Sequence, residues 1–126
     1  MIGPNLSNRL DPTLTAACPI RDVLDRIGDK WSVLLVKTLK DGPLRFGVLR
    51  REIGDISQRM LTETLRHLQR DGLLYRKVYA TVPPSVEYGL TDLGRSLLVP
   101  LDQLVEWSAQ NHEVVKAARK EFDKAA

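Results

Sequence analysis

From Pro19 to Leu39 the apolar residues recur at the three- and four-residue intervals of helices that bury one face. Pro19 suits a first helical position, because its missing N–H has no intrahelical partner there. Val23, Leu24 and Ile27 form the apolar stripe of this helix, and Gly28 ends it. Asp29 caps a second helix, from Lys30 to Lys40. Trp31, Leu34, Leu35 and Leu39 are its expected buried face. Val33 and Val36 widen the stripe, which predicts a helix central to the core.

Asp41-Gly42-Pro43 is a turn, and Leu44-Arg45 a very short strand. Phe46, Leu49 and Ile53 then mark a third helix, broken at Gly54-Asp55. Ser57 caps a fourth helix that runs to about Asp71 and ends at Gly72. From Leu73 to Leu90 the pattern becomes β-branched and aromatic, interrupted by Thr81-Val82-Pro83-Pro84-Ser85, and predicts a hairpin with a proline-bearing tip. Thr91 caps a last helix carrying Leu93, Leu97, Leu98, Leu101, Leu104, Val105 and Trp107, with a kink or local bend expected at Pro100. The tail from 114 onward is helix-prone and charged. Residues 1–17, with Pro4 and Pro12, read as an arm. Two short helices joined by a glycine turn, then a hairpin, predict a mainly α fold with a small β-hairpin wing, an α+β winged helix-turn-helix, over 18–126.

The bulk properties fit one domain of 126 residues. No apolar run approaches the roughly 20 residues of a membrane helix, so no membrane association is expected. The N-terminus lacks a charged start followed by an apolar block, and a cytoplasmic location is expected. Cys18 is the single cysteine and there are two histidines, which offers neither a disulfide framework nor a zinc set. No metal or cofactor is implied. Between Leu44 and Tyr79 the basic residues are Arg45, Arg50, Arg51, Arg59, Arg66, Arg70, Arg76 and Lys77, and the acids Glu52, Asp55, Glu63 and Asp71. That segment is net +4 in a chain of net +3, so the remainder is net −1. A concentrated positive excess suits a phosphate footprint, although a solvated face has the same composition.

The fourth helix carries the chemistry. Leu61, Leu65 and Leu68 face the core. At about 100° per residue from Leu61, Thr62 falls near ~100°, Arg66 near ~140°, Arg59 near ~160°, Arg70 near ~180° and Glu63 near ~200°. An α-helix fits the major groove, and the N-terminal part of such a helix meets the base edges. Arg59, Thr62, Glu63 and Arg66 stand there, with Gln58 at the margin. Arginine can bind guanine O6 and N7, glutamine can read adenine, threonine can touch a thymine methyl, and glutamate can accept from cytosine N4. Ser57 caps the helix beside free N–H groups that suit a phosphate. On the hairpin, Arg76 and Lys77 can grip flanking phosphates or the minor groove, or be only the polar positions of an amphipathic strand. Arg45, Arg50 and Arg51 can reach the backbone from the third helix.

These residues resemble the HxlR family of regulators, relatives of the MarR type. The resemblance runs from Cys18 to Trp107. It rests on CPIRDVLDRIGDKW, DGPLRFGVLRREIGDISQRMLTETLRHLQRDGLL, VPPSVEYGLTDLGRSLL and a later EW, in that order. It implies a homodimeric winged-helix transcription factor, often a repressor, on palindromic operators of double-stranded DNA. ISQRMLTETLRHL matches the family's recognition helix, so Ser57, Gln58, Arg59 and Thr62 inherit its DNA role, and YRKVYATVPPSVEY matches the wing. Family dimers pair through terminal helices, here the Pro19 helix and the helix after Thr91. Leu97, Leu101, Leu104 and Trp107 also offer more apolar surface than one small core uses. A two-fold dimer would set two recognition helices about 34 Å apart.

Cys18 sits before a helix N-terminus, where the dipole favours thiolate. Several family members sense oxidants or electrophiles with a cysteine at this place. Without a second cysteine, this one would bond the partner subunit or a small thiol. It can equally be a small buried hydrophobe. Trp31 and Trp107 read as core or interface, or as walls of a small-molecule effector pocket between subunits. His67, near ~240° on the fourth helix, reads as a surface or packing residue rather than a ligand. The rival reading is a winged-helix protein-interaction module, whose helix would be apolar or acidic outward. An enzyme is disfavoured, because no glycine-rich phosphate loop, nucleophile triad, metal set or paired-carboxylate site is present.

Overall fold

The computed structural model describes residues 19–125. The arm over 1–17 and Cys18 lie outside them. The element order is α1 (Pro19–Ile27), α2 (Lys30–Thr38), β1 (Leu44–Arg45), α3 (Phe46–Ile53), α4 (Gln58–Arg70), β2 (Leu74–Tyr79), β3 (Ser85–Leu90) and α5 (Asp92–Ala125).

Leu35, Leu39, Leu49, Leu61, Leu65 and Leu68 are at most 1% exposed, so the core lies where α2, α3 and α4 meet. α2 and α4 each start where a side chain satisfies a free amide. Asp29 accepts from Ser32 N at 2.8 Å, and Ser57 Oγ from Met60 N at 3.0 Å. The α2 face differs from expectation at one position. Leu34 points outward at 44% exposure, while Ser32 is buried. Five apolar residues crowd α2, more than one helical face can bury. Ser32 goes inside because its hydroxyl donates to Asp29 Oδ2 at 3.3 Å, which offsets the burial of a polar group.

The sheet has the order β1-β3-β2, all antiparallel, with Leu44 opposite Tyr88, Leu74 opposite Leu90 and Tyr79 opposite Ser85. β1 adds a third strand to the base of the hairpin, where Leu74 and Leu90 enter the core.

The recognition-helix candidate is anchored at both ends. Gly54, with φ 98°, turns the chain from α3 toward α4, and Arg50 Nε donates to Ile56 O at 3.4 Å across that turn. At the far end Gly72, φ 78°, closes a Schellman motif: Leu73 N donates to Leu68 O and Gly72 N to Gln69 O, both at 3.0 Å. The same corner receives α5. Thr91 N donates to Leu73 O at 3.1 Å, and Thr91 Oγ1 accepts from Gly94 N at 3.1 Å.

α5 continues through Pro100 as one helix of 34 residues, roughly 51 Å at 1.5 Å per residue. Arg95 Nη1 donates to Lys40 O, and Lys37 pairs with Asp102. Among the described residues none beyond Leu101 on α5 is buried. Leu104, Trp107, Val114 and Phe122 are each more than half exposed. No helix among the described residues is long and apolar enough to cross a membrane.

Candidate nucleic-acid interface

Period and burial agree along α4. Leu61, Thr64, Leu65 and Leu68 are buried, while Gln58, Arg59, Thr62, Glu63, Arg66 and Arg70 are exposed. Thr64 enters the core because its hydroxyl donates to Met60 O at 2.8 Å. The helix thus has one leucine face that fixes it and one polar face that it presents.

The polar face is more organised than its composition implies. Arg59 Nε lies 3.4 Å from Glu63 Oε1, one turn along, with side-chain exposures of 89% and 48%. Thr62 Oγ1 donates to Gln58 O at 2.9 Å, so the hydroxyl proton serves the helix itself. Arg66 and Arg70 have no ion pair among the described residues and stand as solvated cations. Ser57 is exposed, and its hydroxyl oxygen is occupied by Met60 N. At this helix start a phosphate would meet the remaining free backbone N–H groups, and the Ser57 hydroxyl proton could still donate to it.

The wing residues Arg76 and Lys77 are both exposed, but the pleat separates them. Arg76 pairs with Tyr88 on the face that carries Leu74 and Val78. Lys77 pairs with Glu87 on the opposite face, with its ammonium 4.9 Å from the Tyr79 ring centre, while Tyr79 Oη donates to Glu87 Oε1 at 3.0 Å. The two cations therefore do not form one clamp. Sequence neighbours were grouped by charge, whereas the strand period of two already assigns them to opposite faces. At the tip Val82 is fully exposed.

The cations of β1 and α3 divide likewise. Arg50 braces the α3–α4 turn through Ile56 O, a role that charge counting missed. Arg45 and Arg51 are exposed without an ion pair among the described residues. No sequence signal marks Arg50 as different, since it depends on how the turn folds back.

Comparison with known proteins agrees with this geometry. The HxlR-like helix-turn-helix family model matches residues 26–116. An uncharacterized HTH-type transcriptional regulator of Methanothermobacter thermautotrophicus is 51% identical over 90 residues, 71% of this chain and 69% of that one. The uncharacterized HTH-type transcriptional regulator YybR of Bacillus subtilis is 45% identical over 102 residues, 81% of this chain and 82% of its own length. Among solved structures, the redox regulator HypR in its oxidized form superposes with a TM-score of 0.70 at 47% identity, covering 75% of this chain and 97% of that one. A helix with a buried leucine face and a cationic outer face, a wing beside it and these relatives together place the chain in the HxlR-like helix-turn-helix family, a family of DNA-binding transcriptional regulators.

Proposed function

We propose that the protein binds a palindromic operator as a homodimer and represses transcription there. The N-terminal half of α4 enters the major groove, with Gln58, Arg59, Thr62 and Glu63 toward the base edges and Arg66 on the phosphate backbone. One of Arg76 and Lys77 meets the flanking backbone. The observation that carries this reading is the exposed polar stripe of α4 on a helix whose other face is wholly buried. The dimer forms through α1 and α5. It is supported by Ile20, Val23 and Leu24 on α1 and Leu104, Trp107, Val114 and Phe122 on α5, all exposed in the single chain. Burying that apolar surface against a second copy favours association. Such a protein works in the cytoplasm.

Cys18 acts as the oxidant sensor in this reading. Its support is its place before Pro19, together with the redox role that the name of the HypR relative states for that protein. Selection from a random duplex pool, with and without diamide, tests both parts. An inverted repeat whose affinity falls steeply with salt is expected. Diamide is expected to change the wild-type affinity and leave Cys18→Ser unmoved. A pool that yields no motif would refute the DNA reading. Equal diamide responses from the two proteins would refute the sensor.

A further inference from the structure

We propose that Arg59 and Glu63 read one G·C base pair as a single unit, the arginine on guanine and the glutamate on the paired cytosine. This rests on the reading of α4 as the major-groove helix. The two side chains are already joined, Arg59 Nε 3.4 Å from Glu63 Oε1, and both reach solvent. Across the major groove a G·C pair presents guanine N7 and O6 as acceptors and cytosine N4 as a donor. A guanidinium beside a carboxylate presents the complement: N–H donors next to an acceptor oxygen, in one compact group.

An A·T pair offers adenine N7, then the N6 donor, then thymine O4. Placed on that edge, the guanidinium meets a donor and the carboxylate meets an oxygen lone pair, so both members are mismatched. Separate targets for the two residues would require the ion pair to open on binding.

The charge balance points the same way. A carboxylate on a surface that approaches phosphates weakens binding to every sequence alike. In the major groove only the amino groups of cytosine and adenine can repay it. Glu63 thus makes tight binding conditional on a base, which suppresses non-specific sites. Arg66 and Arg70, without ion pairs among the described residues, keep the phosphate contacts. Thr62 is exposed with its hydroxyl proton committed to Gln58 O, so its methyl is the group left for a neighbouring thymine.

The test selects duplexes with wild type, Arg59→Ala, Glu63→Gln and the double variant, then measures affinities for all single base-pair changes. Each single variant is expected to lower discrimination at the same base pair by about tenfold or more, and the double variant to fall no further. Replacing the guanine of that pair by 7-deazaguanine should weaken wild type and leave Arg59→Ala unchanged. Effects at different base pairs, additive losses, or a Glu63→Gln protein that only binds all duplexes more tightly would overturn the proposal. A wild-type pool without any motif would instead remove the major-groove reading beneath it. Retained binding of each variant to non-specific duplex shows that it is folded.

Discussion

Replacing Gly94 with alanine should destabilise this protein, against the usual sign for a glycine within a helix. Helix propensity alone favours alanine there by about 1 kcal/mol. Gly94, however, lies in the first turn of α5, pressed onto the corner where α4 passes into β2. An added Cβ would fall on the Leu73 carbonyl oxygen, with Leu73 C at 3.1 Å and Leu90 Cδ2 at 3.2 Å. Backbone cannot swing aside as a side-chain tip does, so α5 must lift away. Overpacking of this kind costs about 1–3 kcal/mol. Lifting α5 also strains the Thr91 N–Leu73 O hydrogen bond, which contributes about 1 kcal/mol. Subtracting the propensity gain leaves a net loss of about 1–3 kcal/mol. With a urea slope of about 2 kcal/mol per M, the unfolding midpoint drops by about 0.5–1.5 M. Gly47 supplies the control. It is a helical glycine of α3 with nothing nearer than the Arg51 guanidinium at 4.0 Å, so Gly47→Ala should be neutral or stabilising by up to about 1 kcal/mol. Both variants are compared at one protein concentration, because a dimer's stability depends on it. Equal midpoints for Gly94→Ala and wild type, or equal damage from Gly47→Ala, would refute the packing of α5 described above.

Ser57→Ala should lose about 0.5–2 kcal/mol in urea unfolding and Ser57→Gly only a few tenths, because glycine tolerates the cap backbone. Arg66→Ala should weaken binding to all duplexes alike and lower the salt slope by about 1, as removal of a phosphate contact does. The paired change Leu104→Glu with Trp107→Glu should shift sedimentation toward monomer while circular dichroism stays native, since neither side chain packs on its own core. Unaltered sedimentation would contradict the proposed dimer through α5.

Much of the fold was legible because its punctuation is chemical. Asp29, Ser57 and Thr91 announce helix starts, and Gly54 and Gly72 the bends around α4; each does so through a bond or a φ that the residue type favours. The leucine face of α4 was legible for the same reason, as its period admits one solution. α2 was not, since five apolar residues on a short helix leave the inward face undetermined. The bonds from Ser32 to the Asp29 carboxylate satisfy the serine in the position that Leu34 does not take. The candidate site was legible as a list of side chains and much less as an arrangement. The Arg59–Glu63 spacing could be read from the chain, but the commitment of Thr62 to Gln58 O and of Arg50 to Ile56 O depends on rotamer and turn geometry. Gly94 shows the same limit. Nothing in DLGRS tells that a backbone carbonyl from another element occupies the space above that glycine.

The major-groove placement of α4 is tested most directly by site-directed cleavage. In a Cys18→Ser background, Thr62→Cys carries a phenanthroline–copper group, and the complex with selected duplex is activated for strand scission. Cuts confined to two major-groove clusters about one helical turn apart are expected, one from each recognition helix. Cuts scattered along the duplex, or no stronger than those from the same group placed at Val114, would contradict it.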